Sequence, residues 1–268
     1  MYLVVEPDEI VPSSSFDLSG SCAVVIGGTS GLGREIALGL ARAGADVIAS
    51  SRRADQVDEI AAQIEQMGRH TLRKTSDVLQ RETLEALHAA ILEQFGCVDI
   101  LVNSAGTTAR LPTLDCPEET WRRVFDTNLL GTLRACQIFG TTMLRQRRGS
   151  IINIASLANF VAFHEVAAYG ASKAGVGALT RSLAIEFAAD NVRVNAIAPG
   201  IFPTALNEEL LYSTARGREE ISRTPMARFG RLEEVVGAAV FLASQASSFV
   251  TGEIITVDGG YLASGVNQ

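Results

Sequence analysis

Ser156, Tyr169 and Lys173 fall within one short stretch, with Lys173 four residues beyond Tyr169. If the segment after Ala167 is helical, the phenol and the ammonium lie one turn apart on the same face. A free tyrosine titrates near pH ~10. A neighbouring cation favours the phenolate and brings the group towards working pH as a proton donor or acceptor. A serine hydroxyl delivered from a strand end can hold a carbonyl oxygen. Together these side chains outline a site that interconverts a secondary alcohol and a ketone. Such a site needs a hydride carrier bound elsewhere on the chain.

The cradle for one lies near the start. The apolar run Ala23–Ile26 leads into Gly27-Gly28-Thr29-Ser30-Gly31-Leu32-Gly33, and Glu35–Ala41 follows with apolar residues at helical spacing. A glycine turn between strand and helix lets a pyrophosphate approach free N–H groups at the helix N-terminus. The spacing is G-x-x-x-G-x-G rather than the commoner G-x-G-x-x-G. The next strand, Asp46–Ser50, ends in Ser51-Arg52-Arg53, where the adenosine ribose would sit. A carboxylate there would suit the 2′-hydroxyl of NAD, whereas a serine and two guanidinium groups favour the 2′-phosphate of NADP(H), with NAD(H) as the alternative. Asp77 is placed to accept from the adenine amino group, to cap the helix from Gln80 to Phe95, or both. After the strand Val98–Val102, the small residues of Asn103-Ser104-Ala105-Gly106 let a cofactor lie close over the strand end.

The elements that must position these groups alternate along the chain. Gln56–Met67 reads as an amphipathic helix and Thr71–Thr75 as a third strand. Glu118–Arg145 reads as one long helix or two, with the amide of Asn128 in an apolar run, where a buried asparagine needs partners or kinks the helix. Ile151–Ile154 is a strand that delivers Ser156, and Thr180–Ala188 continues the helix begun near Tyr169. Val192–Ile197 is a strand broken by Pro199-Gly200. The polar segment 201–223 reads as a lid, Leu232–Ala243 as a helix and Glu253–Val257 as a last strand. The expected fold is a single-domain α/β structure over residues 16–268, a Rossmann-type doubly wound parallel sheet of about seven strands with helices on both faces. Residues 1–15 are expected to be an N-terminal arm or tail.

Composition narrows the partners. The 268-residue chain is 47% hydrophobic and 20% charged, with net charge -7 and pI ≈ 5.1. An acidic chain repels phosphate backbones, so no nucleic-acid partner is expected. No apolar run approaches the ~18 residues of a membrane span. Cys22, Cys97, Cys116 and Cys136 are dispersed, without C-x-x-C or clustered histidines, as idle thiols in a reducing cytoplasm rather than metal ligands. The first fifteen residues carry Glu6, Asp8 and Glu9 and no basic n-region, unlike a signal peptide.

From about Phe16 to Ala263 the chain resembles the short-chain dehydrogenase/reductases. The glycine turn, Asn103-Ser104-Ala105-Gly106, Asn128, Ser156, Tyr169-x-x-x-Lys173 and Pro199-Gly200 occur in that family's order and at its spacings. It departs at Ile26, where a threonine often precedes the first glycine, and at Ser104, where a second asparagine is common; neither removes a catalytic group. The resemblance implies Tyr169 as general acid in reduction and base in oxidation, and Ser156 as the hydrogen-bond partner of the substrate oxygen. It implies that Lys173 binds the nicotinamide ribose and depresses the tyrosine pKa, and that Asn128 holds a water linking Lys173 to solvent. By the same resemblance Asp77 and Val78 line the adenine pocket and Thr204 bonds the nicotinamide carboxamide; Phe202 lies in the same cofactor-binding segment. A homotetramer is implied as well. The run Ala198–Asn207 and the segment from Val235-Val236-Gly237 to Thr251-Gly252 resemble the gluconate 5-dehydrogenase branch, which implies a sugar acid, polyol or similar hydroxylated small molecule as substrate. Asn159 and His164, together with Ser156 and Tyr169, are the expected substrate-facing residues; Glu165, Asn207 and Glu208 are further polar candidates. The competing reading is a 3-oxoacyl-acyl-carrier-protein reductase, with Arg147 and Arg148 meeting an acidic carrier, although Asp190 stands where those enzymes often carry a basic residue.

Overall fold

Runs of apolar residues hidden on both faces make the centre of the protein. In the computed structural model, which describes residues 15–204 and 207–265, β1 (Cys22–Ile26), β3 (Ile100–Asn103) and β4 (Gly149–Ile154) are buried almost throughout, as strands covered by helices on both sides must be. With β2 (Asp46–Ser50), β5 (Val192–Pro199) and β6 (Ile254–Val257) they form one parallel sheet in the order β2-β1-β3-β4-β5-β6. Alternate residues of β1 point to opposite sides. Ala23 and Val25 join a core with α1 (Gly31–Arg42), α2 (Ala54–Gln66) and α9 (Val236–Ala243). Cys22, Val24 and Ile26 join a second core with α3 (Arg81–Phe95), α5 (Gly131–Gln146) and α6 (Ala167–Phe187).

The register brings the carboxyl ends of the strands to one edge. Ile26 lies opposite Ser50 and Asn103, Asn103 opposite Asn153, Ile154 opposite Ile197, and Pro199 opposite Val257. Because β1 is flanked by β2 on one side and β3 on the other, the chain changes direction of winding there, and a crevice opens at that edge. The glycine turn, Ser51–Arg53, Asn103–Gly106, Ser156 and Pro199-Gly200 all emerge along it.

The described sheet has six strands rather than about seven. Thr71–Thr75, expected as a strand, runs beside β2 but is tethered at its ends, where Val47 N–H donates to His70 O at 3.1 Å and Ser76 N–H to Ser51 O at 3.0 Å. Between them the Ser50 hydroxyl takes the Lys74 carbonyl at 2.7 Å, so a side chain replaces the regular ladder. The long helical segment divides into α4 (Glu118–Phe125) and α5, joined by a widened π-turn over Asp126–Leu130, in which Gly131 N–H reaches back to Asp126 O. The expected arm at 1–15 lies, apart from Ser15, outside the described residues, as do positions 205–206 of the expected lid; the rest of that segment forms α7 (Glu208–Ser213) and α8 (Ala215–Arg223). No helix among the described residues is long and apolar enough to cross a membrane.

Candidate active site

Ser156 follows the end of β4 and opens a short 3-10 turn, Leu157–Asn159. It is only 8% exposed, and its Oγ accepts from Ala158 N–H at 3.1 Å. Tyr169 stands in the first turn of α6. Burial pushes the phenol above the ordinary tyrosine value, and the nearby Ser156 hydroxyl acts the other way. One turn on, Lys173 Nζ lies 5.9 Å from the centre of the Tyr169 ring. This ammonium is 6% exposed and donates to Ile154 O at 2.6 Å; burial lowers its pKa to about 8. The expected pairing on one helix face is therefore present.

Asn128 sits in the π-turn, wholly buried. Its Oδ1 accepts from Thr107 N–H at 2.8 Å, and its Nδ2 donates to Thr107 O and to Ser172 Oγ, each at 2.9 Å. Ser172 in turn donates to Tyr169 O at 2.7 Å. The amide thus ties the loop after β3 to the helix carrying Tyr169. Gly106 lies between the two polar groups: a Cβ built there would be 3.5 Å from Asn128 Oδ1 and 3.7 Å from Lys173 Nζ. Ser172 was not singled out from the sequence; a serine three residues after Tyr169, inside an apolar helix, was the available signal.

At the β1 end, Ser30 caps α1 without a side-chain hydrogen bond, so the first-turn N–H groups face the crevice with no side-chain cap. Gly31 takes a left-handed φ of +52°, and Thr204 Cγ2 lies 3.5 Å from where its Cβ would be. Thr204 is held there by Asn207, whose Oδ1 accepts from Thr204 N–H at 2.7 Å and from its hydroxyl at 3.1 Å. A Cβ on Gly33 would come within 2.2 Å of Gly27 O, so the turn closes only around glycine, while Leu32 packs against the first core. The Thr29 hydroxyl contacts Ser51 Oγ at 2.8 Å and Gln56 Oε1 at 3.1 Å, and Arg53 N–H donates to Ser51 Oγ at 3.3 Å. The residues Arg52 and Arg53 are exposed beside this group. Ala105 backs onto Gly27, and Val78 is buried in the second core. Pro199 ends β5, and Gly200 packs closely on Asp258.

Asn103, expected at the cofactor, spends its Nδ2 on Asn153 Oδ1 at 2.9 Å and Cys136 Sγ at 3.3 Å, locking β3 to β4; its Oδ1 is buried with no partner. Asp77 is not the cap of α3, which is Gln80; its carboxylate closes a turn on Leu79 N–H at 2.9 Å. Phe202 is 5% exposed and its ring covers Gly230, so the side chain packs inward. Asn159, expected at the substrate, has its amide committed to Ser156 N–H at 3.2 Å and Lys173 O at 3.0 Å. His164 is 81% exposed at the outer rim, 3.7 Å from the Glu165 carboxylate that Arg110 holds at 2.9 Å.

These residues fit a dinucleotide. The glycine turn is closed to any side chain, the helix terminus above it lacks a side-chain cap, and the orphaned Asn103 Oδ1 marks unmet hydrogen-bonding capacity at the same strand edge. Among the described residues no group of three or more His, Cys, Asp or Glu is arranged to hold a metal ion.

Known proteins are similar to this chain in sequence and fold. The family model described as enoyl-(acyl carrier protein) reductase matches residues 27–262. The 2-dehydro-3-deoxy-D-gluconate 5-dehydrogenase of Bacillus subtilis is 41% identical over 249 residues, 93% of this chain and 97% of that protein. The 3-oxoacyl-acyl-carrier-protein reductase of Thermotoga maritima is 36% identical, over 91% of this chain and 98% of its own. The crystal structure of a gluconate 5-dehydrogenase from Burkholderia cenocepacia in complex with NADP and tartrate superposes with a TM-score of 0.90 at 33% identity, covering 94% of this chain and 98% of that one. With the crevice, the glycine turn and the Ser156, Tyr169 and Lys173 cluster in the same chain, these matches establish that the protein belongs to the short-chain dehydrogenase/reductase family.

Proposed function

We propose that this chain is an NADP(H)-dependent oxidoreductase interconverting a secondary alcohol and a ketone on a sugar acid, polyol or similar small hydroxylated molecule. The observation that carries the reading is the Lys173 ammonium 5.9 Å from the centre of the Tyr169 ring, with the Ser156 hydroxyl near enough to lower the pKa of the phenol, at the edge where the crevice opens. The bound nicotinamide would supply or accept the hydride. In reduction, Tyr169 gives its phenolic proton to the carbonyl oxygen, and in oxidation the phenolate takes the proton of the alcohol. Ser156, whose Oγ accepts from Ala158 N–H, keeps its hydroxyl proton to donate to the same oxygen. Lys173, with a pKa of about 8, is mostly ammonium at neutral pH and stabilises the phenolate left by proton transfer. Ser51, Arg52 and Arg53 suit the 2′-phosphate, and the first-turn N–H groups of α1 the pyrophosphate. The segments α7 and α8 cover the substrate side.

The relatives named for 5-dehydrogenation of gluconates support the substrate class. The relative acting on acyl-carrier protein keeps the second reading in play. Its anticipated contacts are weakened, because Arg147 pairs with Asp190 and Arg148 with Asp99, at 2.9 and 2.8 Å. Four free cysteines suit a reducing cytoplasm. A homotetramer is supported by α6, whose outward face presents Ala167, Ala171, Ala174, Ala178 and the 81% exposed Ile185. Oxidation of NADPH and of NADH followed at 340 nm, with 5-keto-D-gluconate and with an acetoacetyl carrier thioester, tests the reading. Turnover of the keto-sugar acid with NADPH is expected; turnover of the thioester alone would replace it with the second reading.

A further inference from the structure

We propose that Asn159 is a positioning residue that sets the Ser156 hydroxyl against Tyr169 by bolting the turn after β4 to α6. The proposal rests on reading Ser156, Tyr169 and Lys173 as the proton-transfer set. Asn159 Oδ1 accepts from Ser156 N–H at 3.2 Å, its own N–H donates to Ser156 O at 3.0 Å, and its Nδ2 donates to Lys173 O at 3.0 Å. One amide thus grips the main chain of the residue that holds the substrate oxygen and of the residue behind the phenol. Its partners have opposite polarity, an N–H on one side and a C=O on the other, so they fix which end of the amide points where.

The helix is shaped to receive it. A Cβ on Gly177 would fall 2.1 Å from Asn159 Nδ2 and 3.0 Å from Ile254 Cδ1. Residue 177 lies one turn beyond Lys173, so the missing side chain opens a slot beside the Lys173 carbonyl. Asn159 and Gly177 are complementary parts of one contact: the amide enters α6 only because position 177 has no side chain. Fixing Ser156 N–H and O fixes the main chain that presents its hydroxyl, and Ala158 N–H holds the Oγ at 3.1 Å. Small errors in that hydroxyl's aim are expensive for proton transfer, because a displacement of about 1 Å can cost on the order of 100-fold in rate.

The test is a double-mutant cycle with Ser156, using single-turnover rates for the slow variants and NADPH with the best ketone from the 340 nm assay. Asn159→Ala is expected to lower the rate of the chemical step by about 10- to 100-fold, leaving ketone KM and NADPH Kd within about twofold. In a Ser156→Ala background the same change is expected to cost less than about twofold, since the group it aims is gone. Equal losses in both backgrounds, or no loss in the wild type, would overturn the proposal. If Asn159→Ala folds poorly, Gly177→Ala probes the contact from the other side. It should be clearly more harmful with Asn159 present than with alanine at 159, where only the Ile254 contact is left to adjust; equal harm in both would also overturn it. Failure of the functional reading looks different: Ser156→Ala alone would then leave turnover intact.

Discussion

The two sides of the crevice are built differently. Around Ser156, Tyr169 and Lys173, polar groups are paired through Asn128, Thr107, Ser172, Asn159 and Ile154 O, and most are buried. The rim around residues 160–164, α7 and α8 is looser. Phe160, His164 and Tyr212 are largely exposed, and Glu220 on α8 has one buried carboxylate oxygen without a partner while Arg216 meets the other at 3.4 Å. A fully satisfied buried network holds one geometry, because every departure leaves a polar group unpaired. A loose rim can change residues at little cost. Relatives named for a gluconate 5-dehydrogenation and for 3-oxoacyl-acyl-carrier-protein reduction match the chain over similar lengths, and fold alone does not choose between such functions.

The sharpest way to break the contrast is at Lys173. Lys173→Met should lower kcat by at least about 1,000-fold, since both the charge beside the phenol and its hydrogen bond disappear. The same change should stabilise the fold at pH 7. Burial depresses the pKa of Lys173 from 10.5 to about 8, so its folded-state cost is present below pH 8 and fades as pH rises towards 10.5. That difference corresponds to at most about 3 kcal/mol, less about 1 kcal/mol for the lost bond to Ile154 O. Urea unfolding at several pH values measures it. A variant less stable than wild type at pH 7, or a difference that grows with pH, would show that the ammonium is not buried at a cost.

Next in size is the adenosine end. Arg52→Ala combined with Arg53→Ala should reduce the NADPH-over-NADH ratio of kcat/KM by about 10- to 100-fold, the scale of one or two charge-assisted hydrogen bonds. An unchanged ratio would mean that Ser51–Arg53 does not read the 2′ position. Ser172→Ala should cost roughly fivefold in kcat, because it severs one bond between the π-turn and the Tyr169 helix while Asn128 keeps Thr107. A loss approaching that of Lys173→Met would give Ser172 a far larger part. The smallest effect is expected on the loose side: Glu220→Gln should change activity by less than about threefold and leave stability equal or improved, since a carboxylate oxygen now lacks a partner. A large loss would show that the rim is as constrained as the catalytic side.

Much of this arrangement was legible in residue types and spacing. A glycine turn between an apolar strand and a helix, and a tyrosine and lysine one turn apart, are local features, and local geometry follows from them. Other residues were less legible. Asn103, Asn159 and Asp77 are polar residues at strand or turn ends, where sequence shows hydrogen-bonding capacity but not which neighbour meets it. Asn103 meets Asn153 across β4, and Asn159 meets Lys173 across a slot created by Gly177, both contacts between distant parts of the chain. Thr71–Thr75 has a strand's composition, yet the Ser50 hydroxyl takes a carbonyl that a ladder would have used. The π-turn at Asn128 adds a residue to a helical turn, a change that hydrophobic periodicity does not register.

The central claim, that Tyr169 moves the proton while other residues hold the cofactor, is tested most directly by Tyr169→Phe. The ring and its packing stay, and only the hydroxyl is lost. NADPH binding by fluorescence titration should remain within about threefold of wild type, while ketone reduction at 340 nm should fall by at least about 1,000-fold. Reduction persisting within about tenfold of wild type, with NADPH still bound, would contradict the account.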